Sequence, residues 1–334
     1  MVLGKPIVLN LVLGRPIEYF SKKFFEQYDV RLNPYNRGLS KQELIKEIID
    51  VEATIAAVET YDREVYEAAK KLKIVARYGV GYDSVNVNEA TKFGIFATNL
   101  PGINAETVAE HAVSLMFAMV RGIVEQAKST RPETWSKVSG KFYSDLTPFE
   151  LYGKTLGIVG IGAIGSRVAK ICSGLDLKII AYDPYISSQK AMDLGVQLVS
   201  LDRLMAESDI VSIHSPLTEK TRHMIGEKQL KMMKRTAILV NAARGPVVDE
   251  HALYKALEEK KIFGACLDVL EKEPPEPDNP LFKLDNVIIT PHTAGSSIEN
   301  FMRCDSLLEL QIEQALRGEI PKFALNPEAI KYRK

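Results

Sequence analysis

Along the chain, short apolar runs alternate with longer stretches in which apolar residues recur every three or four positions. The runs have the length of buried strands and the stretches have the period of amphipathic helices, so the alternation predicts βαβ units around parallel sheets. Two series are visible. In the first, candidate strands fall at 7–11, 54–58, 73–76 and 95–98, with a helical pattern at 62–72. In the second they fall at 155–159, 178–182, 209–214, 237–241, 263–268 and 287–290. Between the series, 104–121 reads as a helix that Asn104 can cap and that is apolar on nearly every side over 108–120. Such a helix must be covered, and a domain or subunit interface is the expected cover. The segment 128–150 contains the only tryptophan, Trp135, shows little periodicity and reads as an arm or long loop. A last amphipathic helix at 297–317 can carry the C-terminus back to the first series.

At 334 residues the chain exceeds the size of a single ordinary core. The expected architecture is α/β, with two Rossmann-like doubly wound domains. Residues 102–295 form one of them, inserted into a split, flavodoxin-like domain made of 1–101 and 296–334, with a ligand cleft between the two. The composition, 46% apolar and 26% charged, is that of a globular protein. Lys plus Arg (43) equals Asp plus Glu (43), so no global field draws the protein to nucleic acid or to an anionic membrane. Cys172, Cys266 and Cys304 are far apart, odd in number and without metal-ligand spacing, which argues against a disulfide framework or a metal site. The N-terminus lacks a signal-peptide pattern, and the apolar run 108–120 is too short to span a bilayer. A cytoplasmic protein is expected.

The strongest local signal is Gly160-Ile161-Gly162-Ala163-Ile164-Gly165, which follows a predicted strand and opens a helical pattern. In that context the first glycine permits a turn, the second admits a pyrophosphate to the backbone, and the third lets helix and strand pack closely. The anion then faces the helix N-terminus. Asp183 stands at the end of the next strand, where an acid can accept the ribose hydroxyls and repel a 2'-phosphate. Pro184 and Tyr185 after it offer no cation to a 2'-phosphate, which predicts NAD rather than NADP. An alternative for Asp183 is a turn-forming acid before proline.

Three later strand ends bring Arg244, Glu273 and His292 to the side of a parallel sheet where ligands bind. A planar, permanently charged guanidinium can fork onto a 2-oxo acid and polarise its carbonyl. An imidazole can exchange the hydroxyl proton as hydride moves, whereas Glu273, among Lys272 and several prolines, reads locally as a solvated loop acid. His111, inside the apolar helix, reads as a satisfied interface residue, and His214 as the end of its strand beside the cofactor.

The chain closely resembles the D-isomer-specific 2-hydroxyacid dehydrogenases, a family that includes phosphoglycerate dehydrogenases and glyoxylate/hydroxypyruvate reductases. The likeness is carried by Gly79-Val80-Gly81-Tyr82-Asp83, Val108-Ala109-Glu110-His111, the glycine loop, His214-Ser215-Pro216-Leu217-Thr218 and the three strand ends. It implies an enzyme that moves hydride between NAD(H) and a D-2-hydroxy acid/2-oxo acid pair. Arg244 would bind the substrate carboxylate and carbonyl, with His292 as the acid/base and Glu273 as its partner. Ala163, Ile164, Asp183, Ser215, Thr221, Ala242 and Asp268 would lie against NAD, and the backbone of Val80 and Gly81 against the substrate carboxylate. Formate dehydrogenases carry Gln where Glu273 stands. A homodimer is expected, and the competing reading is a non-catalytic, NAD(H)-sensing protein like the transcriptional corepressors of this fold.

Overall fold

The computed structural model describes residues 4–13, 19–144 and 148–333. The chain divides into two compact units, Met1–Asn104 with Ser296–Lys334, and Ala105–Gly295.

The first unit runs β1 (Ile7–Asn10), α1 (Lys22–Gln27), β2 (Asp29–Leu32), α2 (Lys41–Ile48), β3 (Ala53–Ala56), α3 (Arg63–Ala68), β4 (Ile74–Arg77), α4 (Val87–Lys92) and β5 (Phe96–Thr98). Its five strands are all parallel in the order β2-β1-β3-β4-β5, the flavodoxin-like winding. The apolar runs are the buried strands: every residue of β3 and β5 is inaccessible. Ser40 and Glu43 form a reciprocal capping box on α2, and Asp62 caps α3 through the Val65 N–H. Strand β2 was not anticipated; its DVRL sequence lies exposed at the sheet edge and has no apolar run to betray it.

The second unit contains α5 (Ala105–Arg121), α6 (Ile123–Ser129), α7 (Trp135–Ser144), β6 (Thr155–Val159), α8 (Ala163–Ser173), β7 (Lys178–Tyr182), α9 (Ser188–Asp193), β8 (Gln197–Leu198), α10 (Leu201–Glu207), β9 (Ile210–Ile213), α11 (Glu227–Met232), β10 (Ile238–Asn241), α12 (Glu250–Glu258), β11 (Gly264–Leu267) and β12 (Val287–Ile289). Its seven parallel strands take the order β12-β11-β10-β9-β6-β7-β8, so the winding reverses between β6 and β9. Ligands of open α/β sheets bind outside the strand ends at such a switch point. The chain returns to the first unit in α13 (Ile298–Leu316), which Ser297 caps and which buries Cys304, Leu308, Ile312 and Ala315 with residues of the first sheet.

Three expectations are corrected. Helix α5 is not apolar all round: Glu106, Glu110, Ser114, Phe117 and Arg121 form an exposed stripe at helical spacing. Its other faces pack on α8, β10 and β11 of the same unit, so no further interface is needed to cover them. Nor does Asn104 cap it, for the Asn104 Oδ1 is buried without a hydrogen-bond partner. The segment expected to be an arm or loop contains the end of α6 and all of α7; residues 145–147 lie outside the described residues. Among the described residues no single helix is long and apolar enough to cross a membrane; α5 and α6 together pass that test but are bent by 64°.

Candidate active site

At the switch point the three loop glycines do three different things. Gly160 has φ +88°, and a Cβ there would stand 2.9 Å from the Ser215 nitrogen, against the chain leaving β9. A Cβ on Gly165 would meet the Gly160 carbonyl oxygen at 2.2 Å, so this glycine lets α8 press onto its own loop. A Cβ on Gly162 would touch nothing within 4 Å. That glycine is the N-cap of α8 and offers no side-chain cap, so the first turn at Ala163 and Ile164 begins beside open space.

Asp183 holds this loop. Its Oδ2 accepts from the Ile161 N–H at 2.9 Å, and its Oδ1 from the Tyr185 N–H at 2.8 Å, so it also forms the turn before proline. Beyond β9, the Ser215 Oγ and the His214 Nδ1 are both buried and have no hydrogen-bond partner among the described residues. The His214 Nε2 pairs with the Ser212 Oγ at 2.8 Å, and burial pushes the imidazole down to about 4, so it is neutral. Thr221 closes its own loop by donating to the Pro216 carbonyl at 2.6 Å. Ala242 lies in a small apolar cluster with Val108, Ala294 and Ile164. An uncapped helix end, an open glycine and two orphaned buried polar atoms together fit a dinucleotide.

Along the same edge, the loops after β10, β11 and β12 carry Arg244, Glu273 and His292. After β10 the buried Asn241 folds the chain back, accepting from the Ala243 N–H at 3.1 Å and donating to the Arg244 carbonyl at 3.1 Å. Gly245 then passes so close to the loop after β11 that a Cβ would stand 1.9 Å from the Leu270 oxygen. That contact draws the Arg244 and Glu273 loops together, and sequence pattern gave no sign of it. The Arg244 Nη1 donates to the Ala243 carbonyl at 2.7 Å.

The His292 Nδ1 and the Glu273 Oε2 are 2.6 Å apart, while the Glu273 Oε1 accepts from the Leu270 N–H at 3.0 Å. Burial would raise the Glu273 carboxyl, but the hydrogen bond and charge of His292, the Leu270 N–H and the Arg244 guanidinium outweigh it and hold it below its ordinary value. His292 sits at φ +54°, in the left-handed region, with its side chain about half exposed. Asp268, buried at the end of β11, holds it there: its carbonyl accepts from the His292 N–H at 2.8 Å. Its Oδ1 accepts from the Thr290 hydroxyl at 2.6 Å and the Thr293 N–H at 2.9 Å, and its Oδ2 from the Ala294 N–H at 2.8 Å.

Val80 and Gly81 belong to the first unit, on the loop after β4. Gly79 has φ +131°, and the buried Asn99 donates to the Val80 carbonyl at 2.7 Å.

The fold and the glycine loop define an α/β dinucleotide-binding protein, and comparison with known proteins gives its family. Residues 113–294 match the model of the D-isomer specific 2-hydroxyacid dehydrogenase NAD binding domain. A glyoxylate reductase from Korarchaeum cryptofilum is 45% identical over 312 residues, 93% of either chain. A D-3-phosphoglycerate dehydrogenase from Archaeoglobus fulgidus is 43% identical over 327 residues, 98% of this chain and 60% of that one. Among solved structures, the D-lactate dehydrogenase of Escherichia coli superposes with a TM-score of 0.81 at 29% identity, covering 96% of this chain and 99% of that chain. The chain belongs to the D-isomer-specific 2-hydroxyacid dehydrogenases, NAD-dependent oxidoreductases. The competing reading, a non-catalytic sensor of NAD(H), finds no support in these relatives.

Proposed function

We propose that the protein reduces a small 2-oxo acid to the D-2-hydroxy acid, with glyoxylate, hydroxypyruvate and 3-phosphohydroxypyruvate as the substrate class. The 2.6 Å contact between His292 and Glu273 carries this reading. With Nδ1 committed to the carboxylate, Nε2 is the nitrogen that meets substrate. When bound, NADH supplies the hydride for the C2 carbon. His292, protonated on both nitrogens, gives its Nε2 proton to the carbonyl oxygen and is left as the Nδ1–H tautomer that Glu273 holds. Arg244 binds the carboxylate and polarises the carbonyl, and the backbone of Val80 and Gly81 binds the carboxylate. Gly160, Gly162, Ala163, Ile164, Gly165, Ser215, Thr221 and Ala242 line the cofactor. Asp183 turns away a 2'-phosphate, and Asp268 serves the nicotinamide end through the segment it holds. NADH oxidation against a panel of 2-oxo acids, with NADPH in parallel, tests the assignment; no turnover on any member overturns it.

We infer a homodimer in addition, because Ile123, Trp135 and Tyr152 of one unit are 51%, 65% and 73% exposed. Light scattering at micromolar concentration that returns the mass of one chain refutes this. Cys172, Cys266 and Cys304 are buried and outside any disulfide, which suits a reducing compartment such as the cytoplasm.

A further inference from the structure

His111 takes no part in the chemistry proposed above, yet it touches the segment that carries His292. We propose that His111 is a positioning residue that fixes the His292 segment through the Thr290 hydroxyl; this rests on the reading of His292 as the acid/base.

The His111 Nε2 lies 3.1 Å from the Thr290 Oγ1 and 3.6 Å from the Asp268 Oδ1. A threonine hydroxyl has one proton, and that of Thr290 goes to the Asp268 Oδ1 at 2.6 Å. Towards His111 the hydroxyl can therefore only accept, so the His111 Nε2 must carry a hydrogen. The result is a directed relay from His111 to Thr290 to Asp268.

Asp268 also takes three of the segment's backbone N–H groups. Pro291 has no N–H, and the other four N–H groups of 290–294 all donate to Leu267 or Asp268: Thr290 to the Leu267 carbonyl at 2.9 Å, His292 to the Asp268 carbonyl at 2.8 Å, and Thr293 and Ala294 to the Asp268 carboxylate. The segment is thus tied to one strand end, and His292 within it is held in a left-handed conformation that L-residues avoid. His111 adds an anchor on a different element. It stands on α5, seventeen residues long and packed on α8, β10 and β11. Thr290, two positions before His292, links that helix to the working imidazole.

A displacement of about 1 Å at a reacting group can cost on the order of a hundredfold in rate. Removing the donor should therefore lower kcat while leaving binding largely intact. In glyoxylate reduction by NADH, His111→Leu should lose at least about tenfold in kcat. The KM for glyoxylate and the NADH affinity, read by fluorescence, should stay within about threefold. His111→Gln, whose amide nitrogen reaches the position of Nε2, should recover most of the rate. In a His292→Asn background, His111→Leu should cost nothing more, because its effect passes through His292. If His111→Leu does not fold, Thr290→Val carries the same test. Nitrogen-15 spectra of the apo protein, assigned by comparison with His111→Gln, should show hydrogen on the His111 Nε2. A neutral Nδ1–H tautomer overturns the proposal, as does a folded His111→Leu enzyme with unchanged kcat beside an inactive His292→Asn, or losses that add in the double variant. Full activity of His292→Asn would instead sink the acid/base reading, and the tautomer would still decide whether His111 donates to Thr290.

Discussion

Two loops at the carboxyl edge of one sheet bend through backbone that L-residues avoid, and they are held there by different means. After β6 the turn falls to Gly160 at φ +88°, where the conformation costs little because there is no side chain. After β12 it falls to His292 at φ +54°, which glycine could adopt more cheaply. The second loop needs a side chain at its turn, so the strain is carried by hydrogen bonds that converge on Asp268. Where a loop must only admit a ligand, glycine suffices; where it must present a titrating group, the surrounding structure has to hold that group in place.

The largest expected effect comes from removing the clamp. Asp268→Asn puts an amide NH2 against backbone N–H donors, so at least one of the Thr293 and Ala294 bonds is lost. Hydrogen bonds to a charged group contribute roughly 1.5–3 kcal/mol each, and the segment should relax toward ordinary backbone angles. The expected outcome is a loss of about a hundredfold in kcat with NADH affinity kept. A fall in NADH affinity alone, with kcat unchanged, would make Asp268 a cofactor contact and remove the contrast between the loops.

That contrast also explains what the sequence disclosed. The glycine loop was legible because its constraints are local: spacing, a preceding strand and a following helix are all written within about twenty residues. The buried strands were legible from their apolar runs, and the strand-end positions of Arg244 and His292 followed from them, whereas Glu273 read locally as a solvated loop acid and only the family resemblance set it beside His292. The clamp was not, because Asp268 and Ala294 are twenty-six positions apart and His111 is 179 positions from Thr290. His111 looked like an interface residue because its helix looked apolar throughout; only the folded chain shows which stripe stays exposed. The edge strands β2 and β8 were missed because one is exposed and polar and the other is two residues long.

A smaller effect separates two glycines within the first loop. Gly165→Ala sets a methyl 2.2 Å from a backbone oxygen that cannot swing away, and should cost roughly 3 kcal/mol of stability. Gly162→Ala meets nothing within the protein, so its stability should change by no more than about 0.5 kcal/mol. Yet the added methyl stands where the pyrophosphate would approach, and NADH affinity should fall at least about tenfold. Thermal unfolding and fluorescence titration on both variants check this; an unaltered NADH affinity in Gly162→Ala would move the anion away from the helix end.

The smallest expected effect is the order in which the two loops loosen on acidification. His214, against the glycine loop, has its imidazole pushed by burial from 6.5 to about 4. Its neutral form is favoured in the fold, so its contribution is complete above pH 6.5. It is lost as pH falls through the interval down to about 4, because the unfolded chain takes up the proton first. The carboxyl of Glu273 is shifted the same way, below its ordinary 4.5, despite the opposing push of burial, because His292 holds it ionised. Its contribution is therefore complete above pH 4.5 and is lost only below that. Between pH 6.5 and 4.5 the cofactor side should weaken while Glu273 keeps its contribution. Denaturant unfolding of the apo protein should show a decline on the order of 1–2 kcal/mol over that interval, which His214→Gln should flatten and Glu273→Gln should leave unchanged. If Glu273→Gln removes the decline and His214→Gln does not, the acid-sensitive side of the sheet edge is the one that carries Glu273 and His292.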